Sequence, residues 1–236
     1  ANDNTAVGFC ALNKNTTGTQ NVALGSYALD ANTTASQNVA IGFDSLSIST
    51  TGTANTAVGF EAARNSTTSS NNTAIGFCAL RINSTGNDNT TVGSEALRLN
   101  TTGSRNSAVG RNALEANTTG GDNTGMGTNS LLLNTTGCKN TAFGADSLDS
   151  NTTASDNTAI GVSVMAANTT GFCNVGVGTF ALQANTTGFD NVAVGQGAMN
   201  SNTTGKCNVG VGFFSLVANT TGSINTAVGF KALASA

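Results

Sequence analysis

Few residues in this chain can carry chemistry. Among 236 residues there is no His, and the reactive side chains reduce to 5 Cys, 12 Asp and Glu, and 9 Lys and Arg. A nucleophile or an acid/base pair would have to come from a thiol, an amine or paired carboxylates. Asp88, Asp122, Asp156 and Asp190 recur at 34-residue intervals. If 17 residues make one rung of a stacked β-structure, these carboxylates stand about 9.6 Å apart, too far to share a proton or a single metal ion. The Gly-Gly-x-Gly-x-Asp nonapeptide of calcium solenoids is absent. The expectation is a chain that is not an enzyme, holds no cofactor or metal, and uses its charges to stay soluble.

The cysteines and the asparagines offer two further chemistries. Cys10 and Cys78 occupy one repeat position four units apart, Cys173 and Cys207 another two units apart, and Cys138 stands alone. Two rungs separate Cα atoms by about 9.6 Å, beyond the roughly 7 Å reach of a disulfide. No disulfide is expected within the segment; bonding between chains is the chemical alternative to five small, partly exposed residues. Asn15, Asn32, Asn83, Asn100, Asn117, Asn134, Asn151, Asn168, Asn185, Asn202 and Asn219 each begin an Asn-x-Ser/Thr acceptor triplet. One N-glycan per rung would be too crowded, so turn and ladder duty is favoured, with sparse glycosylation as the other reading.

What must position these residues is a repeat. Asn4, Asn21, Asn38, Asn55, Asn72, Asn89, Asn106, Asn123, Asn140, Asn157, Asn174, Asn191, Asn208 and Asn225 are each followed four residues later by Gly, and each lies 17 residues from the last. That gives 14 coils without an insertion or deletion. With this Asn as position 1, position 4 is always apolar (Val7, Leu24, Ile41, Val58), position 9 is Leu, Met or once Ala63, and positions 3 and 8 are mostly Ala, Gly or Ser. Position 14 is Thr in all thirteen coils that reach it. Every residue therefore has a fixed place in the cross-section.

Gly, Asn and Thr at this density oppose a helical repeat, and propeller blades need about 40 residues. The pattern predicts an all-β parallel β-solenoid, one continuous repeat domain over residues 1–236, about 4.8 Å per coil and roughly 65 Å long. Each coil is expected to hold two short strands, Val39-Ala40-Ile41 and one around Ser45 and Leu46. The tight turn falls at Thr50-Thr51-Gly52, with Gly taking a positive φ. The Asn file is expected to form an amide ladder, and a Val and a Leu per coil to make the core. Ala columns at positions 3 and 8 are too many for one narrow core, so one of them is expected to face a neighbouring roll. Phe at position 6 (Phe9, Phe43, Phe60, Phe77, Phe213, Phe230) is expected to close a corner from inside.

NVAIGFDSLS at Asn38–Ser47 resembles the head repeat of YadA-like trimeric autotransporter adhesins. NTAVGFEAA from Asn55 and NTTG at Asn100–Gly103 resemble the 17-residue repeats of surface and tail-fibre proteins. The resemblance implies a left-handed β-roll, a homotrimer, and service as the shaft or head of an adhesive fibre on a cell or virion surface.

Composition agrees with that class. A net charge of −3 with 9% charged residues leaves no basic footprint for nucleic acid. No apolar run approaches the roughly 20 residues of a membrane span, and any export signal is expected outside this segment. The chain starts at position 15 and stops at position 12, which suggests a piece of a longer fibre or a unit that stacks end to end. Expected partners are further copies, as a homotrimer or an end-to-end filament, and a host receptor or glycan. The alternative is an ice-binding or carbohydrate-binding solenoid. Against ice, adjacent Thr50 and Thr51 point to opposite faces, giving one Thr file per face.

Overall fold

The computed structural model describes residues 2–235, which form an all-β parallel β-solenoid with one three-residue strand per coil. The chain divides into two compact units, residues 1–121 and 122–236. The first carries β1 (Thr5–Val7), β2 (Val22–Leu24), β3 (Val39–Ile41), β4 (Thr56–Val58), β5 (Thr73–Ile75), β6 (Thr90–Val92) and β7 (Ser107–Val109). The second carries β8 (Thr124–Met126), β9 (Thr141–Phe143), β10 (Thr158–Ile160), β11 (Val175–Val177), β12 (Val192–Val194), β13 (Val209–Val211) and β14 (Thr226–Val228). Within each unit, successive strands pair in parallel and in register, Ala40 opposite Ala57 and Ala142 opposite Ala159. A register offset of one whole repeat places every residue beside its own counterpart, which is why the period tolerates no change.

The second strand expected around Ser45 and Leu46 does not form; positions 6 to 11 are a stacked turn. Its cause lies in the backbone. Positions 7 and 9, with position 17, are left-handed in coil after coil, as at Asp44 (φ 57), Leu46 (φ 48) and Ala54 (φ 57). Alternating handedness aims N–H groups along the stacking axis: Leu46 N donates to Ala62 O at 3.1 Å and Ile48 N to Arg64 O at 3.1 Å. Non-glycine residues accept this strained conformation because the neighbouring rungs satisfy the N–H groups it exposes.

Glycine is needed, but at another place than the sequence suggests. Position 5 has φ between 114 and 143 throughout, and a Cβ on Gly42 would lie 2.4 Å from the carbonyl oxygen of Gly59. Position 15, expected to be the positive-φ turn, has no positive φ; a Cβ on Gly52 would instead meet Ser69 O at 2.1 Å. Close stacking, not turn handedness, selects small residues there.

The core also differs from expectation. Ala40, Ala57 and Ala74 at position 3 and Ala28, Ala62 and Ala79 at position 8 are all fully buried, together with the Leu and Met file at position 9. Both Ala columns line the interior, and the apolar position 4 faces outward: Leu24 is 46% exposed and Phe143 55%. The interior is so narrow that two methyl columns, one Leu column and two buried Asn columns fill it.

Candidate functional site

The position-1 asparagines form one polar file in each unit. Asn38 shows the pattern: its Oδ1 accepts from Asn55 N at 2.9 Å and Asn55 Nδ2 at 3.2 Å, while its own Nδ2 donates across the coil to Gly52 O at 2.9 Å. In the second unit, Asn174 Oδ1 takes Asn191 N and Nδ2 at 3.0 and 3.1 Å, and Asn174 Nδ2 reaches Gly188 O at 2.9 Å. The side chain thus satisfies the backbone N–H of the next coil and closes its own cross-section. Asp could accept but not donate, and Gln would not fit the rung, so the invariance has a physical reason.

The eleven acceptor-triplet asparagines make a second inner file. Asn168 Nδ2 donates to Asn151 Oδ1 at 3.1 Å and to Gly171 O at 2.8 Å, and Asn185 repeats the pattern at 2.8 and 3.0 Å. Asn32, Asn83, Asn100, Asn117, Asn134, Asn151, Asn168, Asn185 and Asn202 are fully buried, and Asn219 is 8% exposed; Asn15 is half-buried. The nitrogen that a glycan would need is therefore inside the coil and already donating. In the first unit the file is interrupted where Ser49 and Ser66 replace Asn. Asn32 Oδ1 and the hydroxyls of Ser49, Ser66 and Ser69 are buried there without a partner.

The outer surface of each strand carries position 4 and, beside it, position 6. The Phe residues point out, contrary to the inward corner expected: Phe9 is 66% exposed, and Phe43, Phe60 and Phe77 are exposed as well. In the first unit they form one aromatic file with Tyr27, which edges against Phe9 and Phe43 at 5.4 and 6.0 Å, while Phe43, Phe60 and Phe77 stack at 5.5 and 5.4 Å. A rigid backbone at fixed spacing makes the rings stack whether or not anything covers them. On the surface of the same unit, Asp44 pairs with Arg64 at 3.1 Å, Glu61 with Arg81 at 2.5 Å, and Glu115 with Arg98 at 2.5 Å.

Among the described residues the reactive side chains are spread over many coils. Cys10 and Cys138 are half-buried, Cys78 is buried, and Cys173 and Cys207 are exposed. Burial pushes the Cys78 thiol up, aided by the Glu61 carboxylate; desolvation, with Asp156 and Asp190, does the same at Cys173. Both thiols therefore resist forming the nucleophilic thiolate. Asp88, Asp122, Asp156 and Asp190 are exposed on left-handed backbone. Among the described residues no three His, Cys, Asp or Glu side chains gather to hold a metal ion, and no helix is long and apolar enough to cross a membrane. A shallow notch of about 350 Å³ is bounded by Asp149, Ser150, Ala166 and Gln183, where burial raises the Asp149 carboxyl. The outer files of side chains are the candidate functional features. No protein-family model matches the chain, and no curated protein matches it.

Proposed function

We propose that the chain is a structural β-solenoid of an extracellular adhesive fibre, joining other copies of itself through the outward face of its strands. The observation that carries this reading is the position-4 file. Every coil presents an aliphatic side chain, Met126 or Phe143 there, and Val7, Leu24, Ile75, Val92, Val109, Ile160, Val194 and Val228 are exposed. Contiguous exposed apolar surface of this kind marks an interaction site. A partner that meets all of it must repeat its own apolar residues every rung, and a second copy of this chain does so by construction. The likeness of the repeat to those of YadA-like adhesins and tail-fibre proteins supports a homotrimer at a cell or virion surface. Contacts to a receptor or glycan would fall on the variable positions, since the invariant ones are occupied in holding the coil.

Sedimentation equilibrium with negative-stain electron microscopy tests the proposal. The expected result is a trimer or a filament that Leu24→Lys with Ile75→Lys reduces to monomers. A folded wild-type chain that remains monomeric at all accessible concentrations would sink the reading.

A further inference from the structure

Three positions never vary in this repeat: Asn at 1, Gly at 5 and Thr at 14. The first builds the ladder, and the second meets both a positive φ and a carbonyl of the next rung. The third has no such duty. Thr17, Thr34, Thr51, Thr68, Thr85 and Thr102 are all exposed, and their hydroxyls make no hydrogen bond within the protein. The adjacent threonines differ: Thr50 and Thr67 turn their hydroxyls onto carbonyls of the next coil, at 3.1 and 3.0 Å.

Glycosylation triplets do not explain the invariance. Where position 12 is Ser49 or Ser66, position 14 no longer completes an acceptor triplet, yet Thr51 and Thr68 persist. Solvent exposure alone does not explain it either. Position 17, equally exposed, drifts through Asp, Gln, Ala, Arg, Lys, Cys and Ile.

In the first unit, position 14 has a companion file two residues on. Thr19, Ser36, Thr53, Ser70, Asn87 and Ser104 occupy position 16, on the same outer side as position 14 because position 15 between them is buried. This second file is held still: Ser36 Oγ accepts from Thr19 N and Ser70 Oγ from Thr53 N, each at 3.0 Å. The pair of files makes a strip two residues wide of uncharged hydroxyl, methyl and amide groups, repeating about every 4.8 Å along the stack. In the second unit position 16 includes Cys138, Phe172, Phe189 and Lys206, and the array is lost.

A fixed strip that repeats every rung is complementary to a ligand that repeats at the same spacing. It has no cation for an anionic polymer and no ring for a sugar to stack on. Ordered water meets the requirement, with hydroxyls joining its hydrogen-bond network and methyls sitting in its voids. We propose that positions 14 and 16 of residues 17–104 form an ice-binding face. It uses none of the position-4 residues, so its failure would leave the fibre proposal standing.

The test is adsorption of the folded full chain to a growing ice surface, together with thermal hysteresis. Wild type is expected to enter the ice fraction and give faceted crystals. Thr51→Tyr with Thr68→Tyr should remove most of both effects, while Thr170→Tyr with Thr187→Tyr, in the second unit, should leave them intact. Circular dichroism of each variant separates loss of the face from loss of the fold. A folded wild-type chain that shows no ice adsorption overturns the proposal. So does equal loss from both variant pairs, or retention of insoluble polysaccharide through Thr51 and Thr68 with no effect on ice.

Discussion

The two units share one coil, yet they treat its interior differently. In residues 122–236 the inner amide file runs unbroken from Asn134 to Asn219, each Nδ2 on the preceding Oδ1 at 2.8 to 3.1 Å. In residues 1–121 it stops at Asn32 and resumes at Asn83, with Ser49 and Ser66 between. A serine side chain reaches one atom less far than asparagine, and the Ser49 and Ser66 hydroxyls find no partner. The same unit carries the Arg64, Arg81 and Arg98 pairs on its surface, but partly exposed pairs contribute only about 0.2–1 kcal/mol each. A buried polar atom left without a partner costs about 1–3 kcal/mol. The ladder therefore dominates, and the first unit is weakest between residues 32 and 83, although the Arg64 and Arg81 pairs lie there. Regularity inside the coil, not decoration outside it, governs local stability.

Three substitutions probe that contrast. The largest effect is expected for Asn174→Ala in the second unit. It strips partners from the buried Asn191 N–H and Gly188 carbonyl, at a cost of about 3 kcal/mol. Hydrogen-exchange mass spectrometry should show protection falling in residues near 174 and 191. Unchanged protection would remove the ladder from the account. Next, Asn168→Ser imposes the first unit's interruption on the second. It should lower the opening free energy there by about 2 kcal/mol, towards that of the Ser49 segment. A gain in protection would reverse the comparison.

The smallest effect concerns Asp149. Burial raises its carboxyl above the ordinary 3.8, so the folded state holds a proton that the unfolded state releases, and stability falls as pH rises through that window. Asp149→Asn should raise the thermal midpoint at neutral pH, by less than about 1 kcal/mol in stability, and the difference should vanish below the window. A larger gain at acid pH than at neutral pH would contradict the assignment.

The solenoid was legible because Asn and Gly recur without a change of length, and only a stacked coil gives a reason for that. Inside and outside were harder to read. Hydrophobicity places Leu24 and Ile75 in the core and leaves the Ala columns over, whereas the structure does the opposite. Size restriction carried the better signal: position 3 never exceeds Thr91, while position 4 ranges from Val to Phe143. A narrow interior limits volume, and an outer face does not. Phe at position 6 misled for the same reason, and the acceptor triplets hid buried asparagines behind a surface motif. The left-handed Leu46 and its equivalents were not legible at all, because nothing in a leucine announces that conformation; it follows from where the neighbouring carbonyls lie.

Those left-handed residues bear on how the molecule is made. Each costs about 1–2 kcal/mol in isolation, and a coil such as Asp44, Leu46 and Ala54 holds three of them. A lone coil cannot keep that shape, whereas a coil laid on a finished one finds its acceptors waiting. Growth then resembles that of a crystal, slow to begin and quick to extend, with each completed layer serving as the mould for the next.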